Sequence, residues 1–266
     1  MIKNSSHLWG FWYDGNVDSL HQKDGTMSFF EQVNGKTVDE YVSDVANDKT
    51  PAIAVSRRDF NADQYKALCE AVRNSKAVNN VFLSDISDEA EIKMLFDAIA
   101  ANGNIEKITL QNTPLGDKYV KEFADMYVKH PLLTGIFFKN ANIGDEGAVA
   151  LAHAVSQKTK AAEAEGVSGE ARLLKSIRLN QNHIKNDGAK ALAEVVKDGK
   201  KLQVFIVAGN EIEDEGMFAV ADALAVNDTV EKLDVSGNPF SPSGAAALVA
   251  VVRNKPSIKE YAGFEI

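Results

Sequence analysis

The sequence is almost without cysteine, and its single thiol, Cys69, rules out a disulfide within the chain. It also lacks any run of 18 apolar residues, which predicts that no segment spans a membrane. Its first residues lack the apolar stretch and small-residue cleavage site of a secretory signal. We therefore expect a cytosolic protein, although a specialised secretion system that needs no cleaved signal would leave the same sequence.

Positive charge is scarce as well. The chain has 29 Lys and Arg against 38 Asp and Glu, which gives a formal net charge of −9. Nucleic acids and anionic membranes both require a positive protein surface. The composition therefore argues against both as partners and favours a protein partner.

Catalytic and metal-binding motifs are missing too. None of the five histidines has a second histidine or a cysteine at metal-ligand spacing. The glycine patterns of phosphate and dinucleotide loops and of the serine-hydrolase turn do not occur. The sequence therefore predicts a non-enzymatic protein without a cofactor or a metal. His183, which follows Asn182, is a surface residue or a partner contact.

The sequence does contain a repeat. Three blocks that begin at Leu174, Leu202 and Val230 superpose without a gap and share the pattern LxxLxLxxNxI every 28 residues. Weaker units begin at 50, 78, 105 and 133, and a last one begins at 258. A fixed period of this length is typical of a solenoid built from stacked units.

One interval is about 13 residues too long, which places an insertion at 157–170. Its Lys, Ala, Glu, Gly and Ser residues indicate little buried surface. We expect a helix extension that ends in a mobile loop. It is either a tolerated surface insertion or a loop that contributes to partner binding.

The repeat predicts an α/β fold. Alternating residues within LxxLxL indicate a strand with one buried face, and the rest of each unit leaves room for one antiparallel helix of about 10 to 14 residues. Strands that all enter in the same direction form a parallel sheet. Helices are wider than strands, so we expect about eight units in a horseshoe, with the sheet concave and the helices convex.

Two side chains recur for structural reasons. Asn182, Asn210 and Asn238 follow their strands, where an amide can satisfy turning backbone with both a donor and an acceptor. The recurring glycines, which include Gly188, are expected where a starting helix passes close to the sheet. Acidic pairs such as Asp145 and Glu146 are interpreted as residues that favour the start of their own helix.

Residues 1–49 do not follow the repeat and hold many of the large aromatic residues. We interpret this segment as a cap on the solenoid 50–266, because a first unit has no neighbour to cover its core. An aromatic docking site and a self-assembly surface remain alternatives. Within the segment, residues 37–48 have the apolar spacing of an amphipathic helix. The aromatic residues are Trp9, Phe11, Trp12, Tyr13, Phe29, Phe30 and Tyr41.

These features together resemble the ribonuclease-inhibitor type of leucine-rich repeat, a family that includes Ran GTPase-activating protein and the carboxy-terminal domain of tropomodulin. The resemblance rests on LxxLxLxxNxI followed by segments such as GDEGAVALAHAV and KNDGAKALAEVV. It is strong over 133–245, weaker over 50–132 and absent from 1–49. It implies a horseshoe and protein binding, but not ribonuclease binding, because the many cysteines of ribonuclease inhibitor are missing.

The register identifies the residues that face outward from the concave sheet. In strand order, the middle outward residues are Ala54, Phe82, Thr109, Phe137, Arg178, Ile206, Asp234 and Ala262. An apolar patch beside an arginine is typical of an interface core. Shielding of those apolar groups in a narrow groove is an equal alternative. The predicted partner-binding residues are Phe82, Phe137, Lys139, Arg178, Val204, Ile206 and Asp234.

We therefore predict a module that recognises another protein through its concave face. A secreted bacterial effector is one form that this role would take in a pathogen. A regulator of a small GTPase, of the GTPase-activating type, is the alternative that the resemblance implies.

Overall fold

The computed structural model describes residues 35–265, and within them eight strands alternate with eight α-helices. Two 3-10 helices, Arg57–Asp59 and Gly166–Arg172, lie between these elements. The strands are β1 (Ala52–Ser56), β2 (Asn80–Ser84), β3 (Lys107–Gln111), β4 (Gly135–Lys139), β5 (Ser176–Arg178), β6 (Val204–Ile206), β7 (Lys232–Asp234) and β8 (Glu260–Ala262). The helices are α1 (Val38–Ala46), α2 (Ala62–Asn74), α3 (Glu89–Ala101), α4 (Gly116–Lys129), α5 (Asp145–Ala164), α6 (Asn186–Asp198), α7 (Asp214–Val226) and α8 (Pro242–Val252).

All eight strands form one open parallel sheet in sequence order, β1 to β8. The register pairs Phe82 with Thr109, Thr109 with Phe137, and Phe137 with Arg178. The row then continues through Ile206 and Asp234. This row is the one that the repeat predicts, so the horseshoe and its register are confirmed.

The core lies between the sheet and the helices. In β1 to β7 the residues that alternate with the outward row are buried, as Ile136 and Phe138 on β4 illustrate, whereas Tyr261 on the last strand is 41% exposed. The Phe123 ring on α4 meets Phe138 edge-on, with 4.9 Å between ring centroids. Edge-on contacts of this kind are favourable beyond simple burial of area, so this pair fixes α4 to β4, the strand of the next unit.

The predicted asparagine ladder is present. Asn210 donates from Nδ2 to the carbonyls of Leu179 (2.9 Å) and Val207 (2.8 Å), and its Oδ1 accepts from Ile184 N (3.1 Å). Asn182 and Asn238 repeat this arrangement one unit before and after. Each side chain thus joins the turns of two units, and it supplies the hydrogen bonds that the buried N–H and C=O groups of a turn require.

The acidic residues at the helix starts have a different role from the predicted one. Asp145, the first residue of α5, accepts hydrogen bonds at Oδ1 from Lys185 N (2.8 Å) and Gly188 N (2.9 Å) at the start of α6. Asp117, Asn186 and Asp214 make equivalent contacts to the next helix. Helices α4 to α7 therefore each cap their successor, so the prediction that these residues serve their own helix is incomplete.

The same contact explains the recurring glycines. A Cβ at Gly188 would lie 2.6 Å from Asp145 Oδ1 and 2.8 Å from Ile184 Cγ2. Cβ atoms are not found this close to neighbouring atoms. Glycine is therefore required because the preceding unit's carboxylate must reach the backbone N–H.

We expect Gly188→Ala to lower the free energy of unfolding by about 1 to 3 kcal/mol, because the new methyl group displaces the Asp145 carboxylate. Urea unfolding followed by circular dichroism measures this loss. Glu194→Ala on the exposed face of the same helix is the control, with a change within about 0.5 kcal/mol. Equal stability of the Gly188 variant and the wild type would contradict this account of the glycine.

The inserted segment 157–170 is less superficial than its composition indicates. Helix α5 has 20 residues and runs to Ala164, and the 3-10 helix Gly166–Arg172 leads back toward β5. Lys158 and Ala162, both within the insertion, are each only 1% exposed. The predicted helix extension is confirmed, and the expectation of little buried surface holds for most of the segment but is wrong for Lys158 and Ala162.

Residues 1–34 lie outside the described part of the chain, and with them lie Trp9, Phe11, Trp12, Tyr13, Phe29 and Phe30. The predicted helix at 37–48 is confirmed as α1, which begins with a capping box between Thr37 and Glu40. Its buried Tyr41 accepts a hydrogen bond at the hydroxyl from Ala54 N of the edge strand β1 (3.3 Å). No helix within 35–265 has the length and hydrophobicity that crossing a membrane requires.

Candidate functional site

The concave face is the outward surface of the sheet. Its middle row carries the predicted Phe82, Phe137 and Ile206, which are only 4%, 6% and 4% exposed. The expectation of an exposed apolar patch is wrong for these three, and the alternative of shielding in a narrow groove describes them. The reason is spacing: strands about 4.8 Å apart bring neighbouring side chains into contact across the row.

Arg178 supplies part of this cover. Its guanidinium carbon lies 4.8 Å from the ring centroid of Phe137 on the adjacent strand. A guanidinium stacked on an aromatic ring keeps its plane parallel to that ring, which fixes the orientation of the cation. The two predicted residues therefore act as one unit, with the ring as the base and the cation above it.

A depression of about 80 Å³ opens beside this stack. Phe82 and Phe137 form its apolar part, and Lys139 and Arg178 bring positive charge to it. Gln111 and Asn180, which were not among the predicted site residues, supply amide groups to the same wall. Four of the predicted site residues, Phe82, Phe137, Lys139 and Arg178, therefore line the same depression.

The other predicted residues lie further along the same face. Val204 and Asp234 are half-buried, so solvent reaches both. Asp234 Oδ1 accepts hydrogen bonds from Ser236 N (3.0 Å) and Ser236 Oγ (2.6 Å). Its carboxylate therefore stabilises the end of β7, and this reduces its value as a partner contact.

Two flanking residues of the concave face were not among the predicted site residues. Ser176 is 8% exposed, and its Oγ has no hydrogen-bond partner within residues 35–265. The exposed Lys107 lies beside it, since its side chain passes over Gly135, where a Cβ would be 2.9 Å from Lys107 Cγ. The outward register indicated both positions, but only the packing reveals the unpaired hydroxyl.

The other candidate groups do not form a reactive site. Burial raises the pKa of the Cys69 thiol to about 12, which leaves it protonated and unreactive at neutral pH. His183 is exposed and places Nδ1 2.8 Å from Glu211 Oε1. The described residues include no group of three His, Cys, Asp or Glu side chains that could hold a metal ion.

A cavity of about 560 Å³ lies outside the concave face, at the starts of the helices. Five carboxylate residues line it, and several of them already have partners. Asp145 caps α6, Glu211 contacts His183 and Lys185, and Glu215 accepts from Lys190 Nζ (2.7 Å). This cavity therefore reflects the stacking of the units.

Comparison with known proteins gives the same architecture. A family model described as "Leucine Rich repeat" matches residues 137–152, 171–193, 200–221 and 226–249. No curated protein sequence matches the chain. A crystal structure of a Bacteroides fragilis protein is similar with a TM-score of 0.50 and 14% identity, over 89% of this chain and 72% of that one.

A second solved structure, actin-binding site 2 of leiomodin-1, matches with 13% identity over 86% of this chain and 90% of that chain. Its TM-score of 0.32 is too low to support any inference about this protein. The similarity to the Bacteroides fragilis protein concerns the fold alone, because its sequence identity is so low.

Proposed function

We propose that this protein, a leucine-rich-repeat protein by its four family-model matches and its open parallel sheet, is a non-enzymatic module that binds another protein through its concave face. One observation carries the proposal. Phe137, stacked under Arg178, and the accessible Lys139 and Val204 stand on the face that the helices leave uncovered. Aromatic and arginine side chains of this kind are enriched in the centres of protein interfaces.

The test replaces accessible groups and keeps the stack. Phe137 is too buried for a clean test, since its removal would also affect stability. We expect Lys139→Glu with Val204→Glu to lose at least about tenfold in affinity for the physiological partner, because both put negative charge into the centre of the face, where the outward positions of β2 to β6 carry none. Quantitative affinity capture from lysate with the wild type and the variant measures this loss.

A matched control lies on the helices. Lys93 and Phe218 are exposed there, and Phe218 is 43% exposed. Lys93→Glu with Phe218→Glu makes the same change in net charge, one lysine and one apolar residue to glutamate, away from the sheet and should retain the partner. If the control loses the partner and the concave-face variant retains it, with equal thermal unfolding of both, the recognition surface is on the helices and the proposal is wrong.

The two narrower roles predicted from the sequence have their own tests. Stimulation of GTP hydrolysis across a panel of small GTPases would identify a GTPase regulator. Export of the chain without cleavage by a specialised secretion system would identify a secreted effector. No contact within residues 35–265 favours either role, so the proposal stays with protein recognition.

A further inference from the structure

The charge of the concave face differs from that of the whole chain. The protein has a formal net charge of −9, yet the described outward positions of β2 to β6 carry no Asp or Glu. The same positions carry three cations, Lys107, Lys139 and Arg178. We call the outward surface of β2 to β6 the central groove. The central groove is thus positively charged although the protein as a whole is acidic. A concave surface lined by charge of one sign focuses the electrostatic field and attracts ligands of the opposite charge.

The acidic residues of the concave face lie at its carboxy-terminal end and have partners there. Glu260 accepts a hydrogen bond from Lys232 Nζ (2.6 Å), and Asp234 is bound by Ser236. Neither Lys107 nor Lys139 forms an ion pair with any described residue. The lysines of the central groove therefore lack an ion pair within the described chain, whereas both carboxylates at the end already have a partner.

The three cations surround one aromatic ring. Arg178 stacks on Phe137, and Lys139 follows Phe137 by two residues on the same face. Lys107 pairs with Gly135, which precedes Phe137 by two residues on that face. The ring thus forms a floor between cations on neighbouring strands, with the depression of about 80 Å³ on one side.

A second observation points to a ligand independently of charge. Ser176 lies in the central groove beside Gly135, is more than nine-tenths buried, and its Oγ has no hydrogen-bond partner in the described chain. Buried hydroxyl groups in native proteins are normally hydrogen-bonded. The Oγ is shielded from solvent in the free protein, so a carboxylate or carbonyl oxygen of a ligand reaches it when a neighbouring side chain moves aside, and the hydroxyl can then donate to that oxygen.

From these observations we propose that the central groove binds an acidic, extended segment of a partner protein, with Asp or Glu carboxylates on Lys107, Lys139 and Arg178 and an apolar side chain over Phe137. This inference rests on the proposed function and specifies the chemistry of the partner. Carboxylates pair with guanidinium and ammonium groups in charge-assisted hydrogen bonds, which are stronger than neutral ones.

Selection from a library of random peptides on phage tests this without knowledge of the partner. The full chain is the bait, beside Lys107→Glu with Lys139→Glu, which leaves the Arg178 stack intact. We expect the wild type to enrich peptides with neighbouring Asp and Glu residues and one apolar residue. The variant should lose these peptides or enrich Lys and Arg instead. A control with Lys66→Glu and Lys197→Glu, both exposed on helices, makes the same change in net charge and should select as the wild type does.

Affinity measurements follow with the enriched peptide, labelled with fluorescein and read by anisotropy. We expect the Lys107 and Lys139 variant to bind at least about tenfold more weakly, and added salt to weaken binding to the wild type. Ser176→Ala should weaken binding by about threefold or more and leave thermal unfolding unchanged, because its hydroxyl makes no bond in the free protein.

The outcomes separate the two proposals. The enriched peptides could lack an excess of Asp and Glu and yet lose binding to the Val204→Glu variant. That result would refute the acidic partner segment but would still support recognition through the concave face. Peptides that bind all groove variants equally would overturn both. A peptide that binds only when it carries phosphoserine would assign the cations to phosphate and refute the carboxylate ligand. The absence of any enriched peptide would also refute the carboxylate ligand.

Discussion

Replacement of Asn210 by alanine is expected to destabilise the protein by about 3 kcal/mol, which is a large effect for one polar side chain. The side chain is 5% exposed and makes three hydrogen bonds of 2.8 to 3.1 Å to backbone groups of two units. The carbonyls of Leu179 and Val207 keep a second bond from Asn182 and Asn238. The loss therefore comes mainly from Ile184 N–H, which would stay buried without an acceptor.

Asn238 offers a matched control. It makes the same three types of bond at the next turn but is only half-buried. Water can replace its amide, so we expect Asn238→Ala to cost about 1 kcal/mol. Urea unfolding monitored by circular dichroism compares the two variants. If both lose the same stability, burial of the ladder does not set its strength, and the present explanation is wrong.

The second large effect concerns Lys158, and we expect the wild type to gain stability as pH rises from 7 toward 9. Lys158 is 1% exposed, donates from Nζ to Leu133 O (3.0 Å), and lies 4.1 Å from the ring centroid of Tyr127. Burial, together with the charge of Arg172, lowers the pKa of Lys158 to about 7. The described residues place no carboxylate in ion-pair contact with it.

The direction follows from proton binding. A lysine has a pKa near 10.4 in the unfolded chain, so between pH 7 and about 10 the unfolded state holds the proton more tightly than the folded state. Stability therefore rises with pH across this range, with a slope that approaches 1.4 kcal/mol per pH unit. Above about pH 9 the buried Cys69 opposes this gain, because burial raises the pKa of its thiol to about 12.

Lys158→Met isolates the contribution of this amine. Methionine fills a similar volume without a charge, so we expect the variant to be more stable than the wild type at pH 7 by a few kcal/mol. The difference should shrink as pH rises toward 9. Lys160→Met, two residues along the same helix, controls for loss of a lysine at a less buried position. A constant difference between wild type and Lys158→Met at all pH values would show that Lys158 is not the titrating group.

Much of the fold was predictable from the sequence because the repeat supplies many copies of one signal. The pattern from Leu174 to Asn238 fixes the strand register, and its weaker copy that begins at 133 extends this register to the pairing of Phe137 with Arg178. The asparagine bonds were also predictable, since a turning strand end needs both a donor and an acceptor. The composition of the candidate site could thus be read from the outward positions.

The accessibility of the site was not predictable. Whether Phe82 and Phe137 are exposed depends on the side chains of neighbouring strands, and only the stacked arrangement shows that Arg178 covers the ring. The role of Asp145 was likewise hidden, because its partner Gly188 is 43 residues away across the insertion. The unpaired hydroxyl of Ser176 depends on the absence of an acceptor within reach, which no local pattern encodes.

The sequence by itself determined the units, their order and the residues on each face, because alternation and period are properties of the local chain. Tertiary structure alone decided which of those residues solvent reaches, which helix each carboxylate caps, and that Lys158 of the polar insertion is buried. These outcomes depend on the distance between adjacent units. That distance is set by the packing of whole strands and helices against their neighbours, so it cannot be inferred from the sequence of a single unit.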